Sequence, residues 1–575
     1  MTSAATAAGW SHPDLFSFWL AGTLAVFVVA VRRLASAPWL VGGAVFLALA
    51  SVAVVSTQFD LVGWHGFMHA GPMLRILDGG PVPPEDPLFA GATLRYPWAE
   101  HWLMARLALA TGLNPHFLTI GIEVLVFGGF LACGAWLASM VTRDREVIAL
   151  SVLLTGFGVS VFHGGVLQDA LLRAFPWLSM ETRVVPLDKF GSITGMPIGY
   201  TAMALASCCG VKLACREGST RLLAAVVAAS TLVAALIHPL SWTGILAFEG
   251  VVGLVLLASR RRDDLGRALW LAAAVALPSL AVLPYLRAIG ASASSDGWTG
   301  VTWPGALLAA KTTDLAIFFL PMALLAYFGR DRLLGLLEDG NRALRVLVLV
   351  ILAMAAAHLV VRFPGRNEYK FLLFAAPSGA VVLALCLQDV LERHLLAGLV
   401  VLGLLLLPGA RDLGFRPWFV VTDPCRADGY YLRSMDPAAD ELYQWVAANT
   451  PGNAVFLAAD LRIPPLARRG LYIAVEQPWR GRDGWGLPRN QLLQWHIRQP
   501  DAVMYRRQHL ATLVLDANWS TEKPVDVIAA IHADVPGRPL YVHSQNRDAA
   551  ARLEKTPGFT LRFRNAAGSV FSVAG

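Results

Sequence analysis

Several common motifs are absent from this sequence, and each absence removes a class of function. It contains no Walker-type phosphate loop and no GxGxxG fingerprint placed between a strand and a helix, so ATP-driven work is not expected. There is no HExxH, no short-period repeat, no low-complexity tract and no coiled-coil heptad. Cysteine is sparse: of six in 575 residues, Cys133, Cys208, Cys209, Cys215 and Cys386 lie within or beside apolar runs, and only Cys425 lies in plainly soluble sequence. That distribution excludes a disulfide framework and favours packing of small apolar thiols over a Cys208/Cys209/Cys215 metal site. Charge is thin as well, at 15% of residues against about 25% in ordinary soluble domains.

What fills the chain instead is apolar. Hydrophobic residues make up 56% and mean hydropathy is +0.55, which describes a polytopic α-helical membrane protein. Apolar runs of roughly 17 to 22 residues recur about twelve times, beginning with Leu15 to Val31 and Pro38 to Val55. The net charge of +7 does not call for nucleic acid, because the arginines cluster in short connections between those runs. No basic residue precedes the first run, while Arg32 and Arg33 follow it. The positive-inside rule then sets the N-terminus outside and the clusters at Arg143/Arg145, Lys212 to Arg221, Arg260 to Arg267 and Arg330 to Arg345 inside.

By the same count the long, chemically mixed loops, residues 59–115, 163–194 and 287–311, face outward with the short charged stretch Arg362 to Lys370. Function is expected on that face. The first of these loops opens with an acid, Asp60, directly after an apolar run. Trp64 to Leu77 reads as one interfacial amphipathic helix, with His65 and His69 one turn apart, and Trp98 to Leu109 as another. The second loop gathers Asp169, Arg173, Glu181, Arg183, Asp188 and Lys189 beside aromatic residues, as a lid or substrate wall would. Residues 1–410 thus form the membrane domain. From residue 411 to 575 composition shifts to a soluble α/β domain, expected on the outer side. Pro437 to Ala448, Asn490 to Arg498 and Val525 to Ile531 read as helices. Ala454 to Ala458, Leu471 to Val475, Thr512 to Leu515, Leu540 to His543, Phe559 to Phe563 and Val570 to Val573 read as strands.

A carboxylate at an outer membrane boundary suits a general base, and Asp60 is the candidate, with His65, His69, Glu85, Asp86, Glu100 and His101 as assistants. The bland alternative for a lone acid there is interfacial solvation. Arg362, Arg366 and Lys370 break the charge rule locally and would suit an anionic group such as a phosphate, with snorkelling to lipid headgroups as the simpler reading. His65 and His69 share a helical face and are candidate ligands for a divalent metal ion, as are Asp60 and Asp86.

Taken in order, these features resemble the GT-C superfamily of integral-membrane glycosyltransferases, which use polyprenyl-phosphate-linked sugars on the outer membrane face. The likeness spans most of the chain. It rests on Asp60, on the following GGPVPPEDPLFAGATLRYPWAEHWLMARLALATGLNP, on the RNEYKF segment and on the C-terminal soluble domain. It implies a glycosyltransferase of a bacterial inner membrane, moving a hexosyl or pentosyl group from a lipid-linked donor to an extracytoplasmic acceptor. Asp60 would be the catalytic residue, and Arg366, Lys370 and Arg362 would hold the donor phosphate. Arg95, Tyr96, Asp188, Lys189 and Glu368 would line the substrate wall. Several subfamilies carry two adjacent acids at the first position, whereas here Phe59 precedes Asp60. The stretch Trp479 to Trp485, WRGRDGW, is a candidate acceptor-glycan contact. The rival readings are a transporter or flippase for lipid-linked glycans and a non-catalytic envelope assembly protein. No motif names the sugar, the acceptor or the polyprenol length.

Overall fold

The computed structural model describes residues 61–113, 115–158, 189–190, 194–290, 300–301, 306–422, 429–431, 437–474 and 499–574. The two expected spans before Asp60, Asp60 itself, Asp188, Cys425, the helix expected at Asn490 to Arg498 and the WRGRDGW stretch lie outside them. The described chain begins at β1 (Leu61–Gly63), followed by α1 (Trp64–Leu77) and α2 (Ala99–Thr111), the two short helices that periodicity had placed in the first loop. A helical bundle comes next. It comprises α3 (Pro115–Val141), α4 (Arg145–Phe157), α5 (Met196–Cys215), α6 (Thr220–Ile237), α7 (Pro239–Ala258), α8 (Arg262–Gly290), α9 (Ala306–Phe328), α10 (Arg330–Glu338), α11 (Arg342–Val360), α12 (Lys370–Arg393) and α13 (Leu395–Thr422). Among the described residues seven helices are long and apolar enough to cross a membrane.

One of these is the axis of the bundle. Every residue of α12 from Phe371 to Val390 is buried, as expected of a helix apolar on all sides and enclosed by others. Helices α4, α9, α10, α11 and α13 pack around it. The short basic connections meet at one end of the bundle and are paired there. Arg216 and Arg342 share Asp264, at 2.6 and 3.2 Å, and Arg332 reaches Asp144 at 2.6 Å and Glu392 at 2.9 Å. The partly exposed setting of the arginines makes each pair a modest contribution, but one cluster joins the α5–α6, α7–α8 and α10–α11 connections, and the other joins α3–α4, α9–α10 and the end of α12.

The opposite end carries the C-terminal domain. Helix α14 (Pro437–Asn449) precedes β5 (Val455–Ala458) and β6 (Gly470–Leu471). Then come α15 (Asp501–Leu515), α16 (Pro524–Asp534), β7 (Leu540–Ser544), α17 (Arg547–Glu554), β8 (Phe559–Asn565) and β9 (Gly568–Val573). Their sheet runs β6-β5-β7-β9-β8, parallel across its first three strands and antiparallel thereafter. One expected strand is corrected: Thr512 to Leu515 is the last turn of α15. A stretch as short as ThrLeuValLeu fits either period, and only the preceding AspAlaValMetTyrArgArg turns fix the helical one.

The first loop is built into this domain. Pro87 to Ala90 lies along the edge strand β6, with the Ala90 N–H donating to the Leu471 carbonyl and the Leu471 N–H to that of Pro87, both at 2.8 Å. Leu88, Phe89 and Ala90 enter the domain's core, and the Arg507 guanidinium stands 4.1 Å from the Phe89 ring centroid. The loop therefore covers an otherwise open sheet edge. Glu85 fastens its start by accepting from Arg75 at 2.7 Å, from the Gly91 N–H at 2.7 Å and from Arg538. A second tie joins β1 antiparallel to β4 (Gly429–Tyr431), so the residue after Asp60 is paired with the connection leading into the C-terminal domain.

Candidate functional site

Helices α1 and α2 pack against each other and bring together groups that are 32 residues apart. His69 Nδ1 and His101 Nε2 lie 2.7 Å from one another, with the rings stacked at 4.9 Å between centroids. Glu100 Oε2 is 4.0 Å from His69 Nδ1. His69, Glu100 and His101 are exposed by 3%, 1% and 1%. The stripe Glu100, His101, Met104, Ala105 and Ala108 is the buried face of α2, which is why two polar residues face inward there.

Burial decides their protonation. Desolvation lowers His69 to about 4, and burial together with the neighbouring His69 pushes His101 well below the usual histidine range. Burial raises Glu100 to about 8. All three are neutral near pH 7, so the His69–Glu100 approach is a contact between neutral groups rather than an ion pair. Beside them lies a small cavity lined by His69, Pro72, Asp86, Leu94, Tyr96 and His101, among others. Asp86 is raised to about 7 by burial and, secondarily, by the nearby Glu85 charge, against the opposing hydrogen bond from the Leu88 N–H at 2.9 Å. The Tyr96 ring meets His69 edge-on at 5.3 Å.

Two positions hold this pair of helices to the bundle. Trp98, at the N-cap of α2, has no capping side chain, leaving early backbone N–H groups in need of an acceptor. The Tyr285 hydroxyl supplies it, accepting from Trp98 and Ala99 at 3.1 and 3.3 Å while donating to the Leu236 carbonyl at 2.8 Å. Gly195 permits close approach on the other side: a Cβ there would stand 2.7 Å from the Ile237 carbonyl oxygen and 3.0 Å from Glu100 Oε2.

A basic group adjoins the same end of the bundle. Lys370 opens α12, Lys189 acts on it by charge repulsion, and the Lys189 ammonium sits 5.6 Å from the Tyr369 ring. His238, at the junction of α6 and α7, bonds Ser241 Oγ at 2.8 Å. Arg362 and Arg366 belong to the connection just before α12, in β3 (Val361–Arg362), paired with β2 (Gly300–Val301), and in the turn Pro364–Tyr369; their side chains lie outside the described ones, as does that of His65. Glu368 is engaged elsewhere, 3.4 Å from the Lys311 ammonium and accepting from the Phe363 N–H. Arg95 is half-buried near the cavity edge.

Sequence reasoning had named His69, Glu100, His101 and Asp86 and had set His69 on one helical face with His65; the structure brings His69 to His101. Tyr285 and His238 were missed. Their signals were the breaks Pro284-Tyr285 and His238-Pro239 within long apolar runs, where polar groups serve a helix junction.

No family model matches this sequence, and no curated protein matches it significantly. Solved structures do. The crystal structure of ArnT from Cupriavidus metallidurans in the apo state is similar over 94% of this chain and 99% of that one, at a TM-score of 0.50 and 13% identity. The same protein bound to undecaprenyl phosphate matches over 93% and 99%, at 0.50 and 12%. The arabinofuranosyltransferase AftD from Mycobacteria is similar over 92% of this chain and 40% of its own, at 0.55 and 14%. This chain has the GT-C fold. Within the GT-C fold of this chain, the buried histidine pair and the Lys189/Lys370 group occupy the end of the bundle that bears the C-terminal domain.

Proposed function

We propose that this protein is a membrane glycosyltransferase that moves a sugar from a polyprenyl-phosphate donor to an extracytoplasmic acceptor, with the N-terminus and C-terminal domain outside a bacterial inner membrane. The observation that carries the reading is a small cavity walled by the buried His69/His101 pair, at the end of the bundle where Lys189 and Lys370 neighbour each other, in a fold for which ArnT is described with undecaprenyl phosphate bound. A lipid phosphate suits that setting, because positive groups half-withdrawn from water hold an anion more strongly than exposed ones.

In this scheme the donor enters sideways from the lipid and its phosphate rests against Lys370 and Arg366, with Arg362 and Lys189 adding charge. Asp60 takes the proton of an acceptor hydroxyl as the oxygen attacks the anomeric carbon. The bond to the phosphate oxygen breaks with its electron pair, and the cations stabilise the charge that collects there. One displacement gives inversion at the anomeric centre. His69, His101 and Asp86 line the adjoining cavity and shape it, and the Phe89 latch keeps the C-terminal domain over this end. Purified, folded Asp60→Asn should lose about 10² to 10⁴ in transfer rate; transfer at the native rate removes Asp60 from the reaction. Arg366→Ala should weaken binding of a polyprenyl-phosphate donor, and unchanged affinity would eliminate the phosphate assignment.

A further inference from the structure

Three buried donors from two helices converge at one point. His69, Glu100 and His101 each offer a ligand atom, and all three atoms lie within 4.8 Å of one another. We propose that these residues form a site for one divalent transition-metal ion, with a further coordination position open to the cavity lined by Asp86 and Tyr96. The inference stands on side-chain geometry and holds whichever donor the enzyme uses.

Tetrahedral coordination with metal–nitrogen and metal–oxygen distances of about 2.0 to 2.2 Å sets ligand atoms roughly 3.3 to 3.6 Å apart. The observed separations bracket that value: 2.7 Å between His69 Nδ1 and His101 Nε2, and 4.0 Å between His69 Nδ1 and Glu100 Oε2. The whole set lies within 4.8 Å, so side-chain adjustments of about 1 Å bring it toward bonding geometry. A hydrogen bond between two neutral imidazoles accounts for the nitrogen pair but not for the remaining groups. Among the described residues, Glu100 Oε1 and His101 Nδ1 are buried without a hydrogen-bond partner. A buried polar atom left without a partner is unfavourable, so an unpaired Glu100 carboxyl oxygen beside two imidazoles points to a missing ligand.

The number of donors indicates the kind of site. Three protein ligands with an open position is the arrangement of reactive rather than closed structural metal centres. The adjoining cavity, about 20 Å³, exceeds the roughly 10 to 15 Å³ that one water requires. Two imidazoles and one carboxylate select zinc-like ions over magnesium or calcium. The site is also held in advance, since Tyr285 caps α2 and Gly195 lets α5 approach Glu100 closely.

The test uses the full chain, purified in detergent without chelator, with metal content read by mass spectrometry. About one equivalent of a transition metal per chain is expected, lost in Glu100→Gln and in His101→Ala and kept in His509→Ala, an exposed histidine of the C-terminal domain. Chain stripped with chelator and then given cobalt(II) should develop visible absorption bands of a four- or five-coordinate ion, absent from Glu100→Gln. Glu100→Gln is the conservative variant, so the result survives if His101→Ala does not fold. Stripped wild-type chain that takes up no cobalt, or metal content equal in wild type and Glu100→Gln, overturns the site.

Discussion

Replacing Asp86 by Asn isolates the energetic cost of placing a carboxylate at the cavity wall. Asp86 is 2% exposed, and burial raises its pKa from 3.8 to about 7. A folded pKa above the unfolded one means the folded state binds the proton more tightly. The wild-type chain therefore loses nothing from this group below about pH 4, loses stability progressively as pH rises toward 7, and bears the full cost above it. Three units at about 1.36 kcal/mol each set that cost near 4 kcal/mol. Asn keeps the oxygen that accepts the Leu88 N–H and carries no charge at any pH. The expected outcome is a gap favouring Asp86→Asn of about 1 kcal/mol near pH 4.5 that widens to a few kcal/mol at pH 8. Apparent thermal unfolding of both chains in detergent with chelator, stepped from pH 4.5 to 8, measures it. The difference between chains cancels the titration of groups common to both. A gap that stays constant with pH, or widens toward acid, would refute the assignment of a raised Asp86 pKa.

Two further outcomes bear on how the site is held. Tyr285→Phe removes the acceptor of the Trp98 and Ala99 N–H groups and the donor to Leu236, and should cost about 1 to 3 kcal/mol; hydrogen exchange in residues 98–102 should rise while that of the central helix α12 stays unchanged. Phe89→Ala empties a position that is 3% exposed in the core of the C-terminal domain, at about 3 to 5 kcal/mol. Limited proteolysis should then cut the latch, residues 84–92, faster than in wild type, and equal cutting would show that the loop is held by its backbone bonds alone.

How much of this was legible in the sequence depends on the range over which each feature is set. Trp64 to Leu77 was read with its observed bounds, because the pattern of apolar residues and the Asp78-Gly79-Gly80 stop are local. The helices at Pro437 and Val525 and most strands of the C-terminal sheet were legible for the same reason. Thr512 to Leu515 was not, since so short a stretch carries no period of its own. Glu368 sits among basic residues in sequence, and its partner Lys311, 57 positions away, was beyond any local pattern.

The sequence by itself determined the class of the protein: apolar run length, basic connections and a change of composition near residue 411 are properties of short windows, and they dictate helices, their alternation and a separate α/β unit. The tertiary structure decided which polar residues meet. His69 meets His101 because α1 packs on α2, a contact set by the fit of two helix faces that spacing along one helix does not reveal. It also decided that ProLeuPheAla at 87–90 is a latch rather than a free loop, because the open edge of β6 and the Arg507 side chain that receive it arrive hundreds of residues later. Local chain stiffness writes the first kind of information, and close packing between distant segments writes the second.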